Sequence, residues 1–137
     1  MTNALGTAYR VWAGIVFVAV IVQFGAAGYG AFYAFEKAKS SNALTHKQFD
    51  HGFGLHIGLG YILFIASLLL FLFAIGARLE RKRVLLALAV PLLVVLAIVL
   101  AAVGEKTPAV GVLHPIDAFL IAGLTGFLAH NAWRRTA

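Results

Sequence analysis

Five histidines and no cysteine set the chemistry open to this chain. Without thiolates, disulfides, iron–sulfur clusters, covalent haem attachment and cysteine catalysis are all excluded. Neutral imidazole remains as the principal transition-metal ligand. Two of the histidines share a level. His56 stands 22 residues from Arg78 and His114 stands 20 residues from Arg134, roughly 33 and 30 Å at the helical rise. His51 is 27 residues from Arg78, roughly 40 Å, which is outside a hydrocarbon core. His130 falls 16 residues beyond His114, roughly 24 Å away and on another face, so it shares no ligand with the pair.

The neighbours of the pair are small. Gly52, His56 and Gly60 recur at i, i+4 and i+8, one stripe of a helix. His114 has Gly111 three residues before it and Ala118 four after, while helix 1 offers Gly25, Ala26, Ala27 and Gly28 at a comparable height. Bare helix surface on either side of an imidazole suits a porphyrin, so the pattern predicts a haem b whose iron is held by His56 and His114. Gly52, Gly60, Gly111 and Gly28 would give it room. Asp117, near a helix N-terminus, would orient an imidazole. Lys37, Lys39, Lys47 or Lys106 would meet the propionates, and Gln23 is the one polar amide deep in helix 1. A competing reading needs no cofactor: Gly54 and Gly58, like the other glycines, are what close helix packing in lipid requires. His46 and His51 then read as solvated loop or helix-start residues, and His130 as an interfacial anchor beside Asn131, Trp133, Arg134 and Arg135.

The elements that must position these residues follow from composition. Of 137 residues, 62% are apolar and 12% charged, and the mean hydropathy is +0.94. A soluble domain of this size has too little interior to bury that much apolar surface. Apolar runs of at least about 20 residues bounded by charge predict helices over about 9–35, 51–78, 83–104 and 112–133. The first run is too long for a signal-peptide core and is expected to stay as a span. The expected fold is all-α: a polytopic membrane protein with a four-transmembrane-helix bundle in a single domain, 1–137.

Charge sets the expected orientation. One side carries Arg10, Arg78, Arg81, Lys82, Arg83, Arg134 and Arg135 against Glu80, and the other carries Lys37, Lys39, Lys47 and Lys106 against Glu36, Asp50 and Glu105. The positive-inside rule makes the arginine side, with both termini, cytoplasmic. The net charge of +6 is thereby explained by topology and anionic lipid, and nucleic acid is not an expected partner. Residues 78–83 form a tight turn. The segment from Glu36 to Asp50, with Ser40, Ser41, Asn42 and Thr45, is expected to be an outer loop long enough for a small lid.

The stretch Leu55-His56-Ile57-Gly58-Leu59-Gly60-Tyr61 resembles the Leu-His-x-x-Leu-Gly opening of helices in membrane b-type cytochromes. Leu113-His114-Pro115-Ile116-Asp117-Ala118, with Gln23-Phe24 and Gly28, resembles a family of small bacterial four-helix membrane proteins of unknown function. The second likeness covers most of the chain and implies His56 and His114 as the family's polar features, but no activity. The paired four-histidine, two-haem pattern of larger b cytochromes is absent, because His130 has no partner at its depth.

The expected function is therefore haem b binding between helices 2 and 4 near the outer face of a bacterial cytoplasmic (inner) membrane, for one-electron transfer. A redox partner or quinone, and a homo-oligomer, are the expected associations besides the lipid bilayer. The alternatives are a cofactor-free accessory subunit, or an outer-facing Cu or Zn site using His51, His56 and His114 with Asp50 or Glu105.

Overall fold

The computed structural model describes residues 4–41 and 43–134. Of the residues used above, Asn42 and Arg135 lie outside the described residues. The chain forms α1 (Ala4–Ser41), α2 (His46–Gly76), α3 (Arg81–Gly104), a single turn α4 (Pro108–Gly111) and α5 (Leu113–Arg134). The four helical spans, with α4 and α5 counted as one, are each long and apolar enough to cross a membrane. They run up, down, up and down. Backbones pack in the pairs α1–α2, α2–α3, α3–α5 and α1–α5, so α1 faces α3 and α2 faces α5 across the diagonals of a square.

The segment expected as an outer lid is mostly helix. Helix α1 runs on to Ser41 and α2 starts at His46, which leaves only a short connection. Local chemistry explains the early start of α2. Gln48 N–H donates to Thr45 Oγ1 at 3.3 Å and Thr45 N–H donates to Gln48 Oε1 at 3.0 Å, a capping box that satisfies two otherwise orphaned donors. His46 and His51 are thus exposed residues of the first turns of α2, not of a loop.

The tight turn after α2 is built with an arginine where glycine is usual. Arg78 has φ 52°; its N–H donates to Ile75 O at 2.9 Å, and Leu79 N–H donates to Ala74 O at 3.2 Å. These are the two bonds of a Schellman motif, and Leu79 packs against the core to complete it. A side chain in the left-handed region costs about 1 kcal/mol or more. Arg78→Gly is therefore expected to raise the thermal unfolding midpoint in detergent, by a gain of about 1 kcal/mol. A lowered midpoint would contradict this account of the turn.

The core is concentrated toward the arginine end. Val16, Leu70, Val90, Ser67 and Thr125 are its largest fully buried side chains. Alanines fill the gaps between them at Ala13, Ala66, Ala74, Ala87 and Ala129, which lets backbones approach closely where lipid supplies no hydrophobic drive. The buried hydroxyls of Ser67 and Thr125 are satisfied within their own helices, Ser67 Oγ on Phe64 O and Thr125 Oγ1 on Ile121 O, both at 2.7 Å. Trp12 Nε1 donates to Ala66 O at 2.8 Å and ties α1 to α2. The outside is apolar as lipid contact demands, with Phe32 79% and Phe119 70% exposed.

Toward the lysine end the packing changes kind. Helices there meet backbone to backbone at two glycine crossings. A Cβ on Gly52 would lie 2.8 Å from the Tyr33 ring and 3.3 Å from Gly30 O. A Cβ on Gly104 would lie 2.7 Å from Gly111 Cα. Between these crossings the bundle does not close, and an internal space remains.

Candidate functional site

That space is a cavity of about 420 Å³, lined by all four spans. Val20, Leu63, Val94 and Ile121 line it where it meets the packed core. The lining residues Ile57 and Tyr61 of α2, Ala101 and Ala102 of α3 and Glu105 just beyond it are also exposed, as is Pro115 of α5, so the cavity opens on the α2–α3 seam and beside Pro115. In a bilayer that seam faces lipid.

Both histidines of the matched pair line this cavity. Their rings are 6.1 Å apart between centroids, with 78° between the ring planes. They reach each other from diagonal helices, α2 and α5, and therefore meet near the bundle axis. His56 Nδ1 lies 3.3 Å from Gln23 O, and His114 Nδ1 lies 2.8 Å from Ala97 O. A carbonyl oxygen only accepts, so each Nδ1 carries the proton and each Nε2 keeps its lone pair. Both rings are half-buried and held at Nδ1, with Nε2 of each outside those two contacts.

Gln23 supports this arrangement from α1. Its side-chain Nε2 donates to His56 O at 2.7 Å while its backbone carbonyl accepts from the His56 ring, a reciprocal link between helices, and its side-chain Oε1 is buried without a partner. The deep amide of helix 1 is thus an interhelical clasp that also lines the cavity. Phe53 stands edge-on to His56 at 6.3 Å. Phe24 packs against Phe119 at 5.4 Å and fills the α1–α5 seam beside the cavity.

The small residues expected to give a cofactor room divide into three groups. Gly60 lines the cavity, and a Cβ there would meet Gln23 Nε2 at 3.3 Å. Gly52 and Gly111 are used in the helix crossings instead, and Gly28 is open, with nothing within 4 Å of an added Cβ and no place in the lining. The room beside the rings comes from alanines, Ala27 of α1 and Ala97, Ala101 and Ala102 of α3. The alanine pair at 101–102 interrupts the large aliphatics of α3 and was the available signal in the sequence. The carbonyl of Ala97 left no such signal, because a backbone acceptor has no residue type.

Asp117 does not orient either imidazole. It is 3% exposed, its two carboxyl oxygens have no hydrogen-bond partner, and the His114 ring turns to Ala97 instead. His51 lies against the Tyr33 ring at 5.2 Å, and Lys37 lies over the same ring at 5.4 Å. His46 and His130 are exposed and apart from the pair. Among the described residues no group of three or more His, Asp or Glu is gathered to hold a metal ion by itself. Among the described residues the cavity thus brings together two imidazoles, a pair and not a larger cluster.

No family model, curated protein or solved structure matches the chain.

Proposed function

We propose that this chain is a membrane haem b protein for one-electron transfer, with His56 and His114 as the axial ligands. The observation that carries the reading is the pair of facing imidazoles, 6.1 Å apart and each anchored through Nδ1. A metal bonded to two imidazole nitrogens at about 2 Å each separates the ring centroids by about 6 Å. The spacing fits. Two axial imidazoles complete a six-coordinate iron where the metal brings its other four ligands, as it does in a porphyrin. The cavity volume of about 420 Å³ falls in the range of ligand pockets, about 300–1,000 Å³.

The residues of the chain have distinct parts in this reading. Gln23 and Ala97 hold the ring orientations through their carbonyls, which favours the neutral tautomer that ligates through Nε2. Because the rings come from diagonal helices, a flat group across the line between them would have its edges on α1 and α3, where Ala27 and Ala101 stand. Val20, Leu63 and Ile121 keep water from the core side, and a dry apolar shell is one of the levers on redox potential. Bound there, haem b supplies reversible one-electron chemistry. The opening on the α2–α3 seam suits a quinol arriving from the bilayer as the electron partner. The one-sided arginines support a cytoplasmic membrane with the haem near its outer face.

The test is the absorption spectrum of the chain purified in mild detergent from haem-replete cells. A Soret band that sharpens and shifts on reduction is expected. A colourless protein would contradict the reading, and metal analysis would then decide between a cofactor-free accessory subunit and a Cu or Zn site.

A further inference from the structure

A second cleft, of about 120 Å³, lies at the arginine end between the start of α3 and the last turns of α5. The buried Tyr9 of α1 forms its base. Arg83 and Lys82 line one wall and Asn131 the other, with Leu86 and Phe127 continuing along the seam toward the hydrocarbon. Arg83 Nη2 is buried and has no hydrogen-bond partner. That Nη2 is shut off from incoming groups, but the guanidinium that carries it lines the cleft, and a half-buried cation short of acceptors is favoured by an anion placed beside it. Glu80 also lines the cleft, which therefore presents two cations against one anion.

We propose that this cleft binds the phosphate of an anionic lipid from the arginine-side leaflet. Arg83 and Lys82 hold the phosphate oxygens, and Asn131 offers a further polar contact. The acyl region lies along Leu86 and the exposed Phe127. Inorganic phosphate shares the headgroup chemistry, but the apolar run from the cationic wall into the bilayer favours a lipid. The site is separate from the histidine cavity and does not depend on what that cavity holds.

The experiment is native mass spectrometry of the full chain released from neutral-headgroup micelles that contain a small fraction of phosphatidylglycerol. One retained phosphatidylglycerol is expected, with phosphatidylcholine lost. Arg83→Gln and Lys82→Gln should each weaken retention about five-fold. Arg81→Gln removes the same charge from the same turn but does not line the cleft, and should leave retention unchanged. Phe127→Ala should weaken retention as well, which a site for free phosphate would not show. Equal weakening by Arg81→Gln and Lys82→Gln would overturn the proposal in favour of general surface attraction. Displacement of the lipid by millimolar inorganic phosphate would overturn the lipid as the ligand. Lys82 is exposed, so its variant carries the test even if Arg83→Gln fails to fold.

Discussion

His114→Ala is expected to leave a folded protein whose haem affinity has fallen on the order of 100-fold or more, and His56→Ala to do the same. The fold should survive because both side chains are half-buried on a cavity wall, not locked in the packed core. Each truncation enlarges a space that already exists. The acceptor carbonyls of Gln23 and Ala97 belong to helices and keep their backbone partners, so no buried polar group is orphaned by the loss of the ring. Affinity should collapse for a different reason: in the proposed site each imidazole is half of the ligand set, and among the described residues none of the other histidines stands with the pair. His46→Ala, His51→Ala and His130→Ala provide the contrast and should leave the Soret band intact. Loss of the band in one of those three, or its persistence in both His56→Ala and His114→Ala, would show that the ligands are misassigned. Haem titration followed by absorbance, with helicity checked by circular dichroism, reads both quantities.

The second large effect is expected at the crossing that carries His114. A Cβ at position 104 would come 2.7 Å from Gly111 Cα and 3.3 Å from Gly111 N, so the obstacle is backbone rather than a movable side chain. Gly104→Ala must push the turn α4 away from the end of α3, and α5 with His114 begins two residues after Gly111. The expected cost is about 1–3 kcal/mol in stability, with a weakened Soret band as His114 is displaced. The reverse substitution, Gly111→Ala, meets Gly104 Cα at 3.2 Å and should be milder. Gly58→Ala supplies the control, because nothing lies within 4 Å of the added Cβ. Replacement of glycine by alanine in an open helix position favours the helix, so Gly58→Ala should be neutral or stabilising. Equal thermal midpoints for Gly104→Ala and Gly58→Ala would refute the close crossing.

Particular residues show how far the sequence could be read. The four spans and the matched height of His56 and His114 were legible because both follow from counting residues along a helix of fixed rise. That the two rings come from diagonal helices was not legible, since it depends on which helix packs beside which. The glycines divide along the same line. Gly60 could be assigned to the cavity from its own helix face, whereas Gly52 and Gly111 take their roles from Tyr33, Gly30 and Gly104 on neighbouring segments. Thr45 and Gln48 did announce the start of α2 in a T-x-x-Q spacing, and polar composition obscured it. Arg78 gave no warning of its left-handed backbone, because glycine or asparagine is the usual resident there. Asp117 sits where a carboxylate could orient a histidine, yet backbone carbonyls do that work for both rings.

The central claim, axial ligation by both histidines, is met most directly by electron paramagnetic resonance of the oxidised, purified protein at low temperature. Two neutral imidazoles on ferric haem give a low-spin centre, and ring planes 78° apart predict a strongly anisotropic low-spin signal. That signal should be lost in both His56→Ala and His114→Ala. A high-spin ferric signal in the wild-type protein, or the absence of any ferric haem signal, would contradict the account.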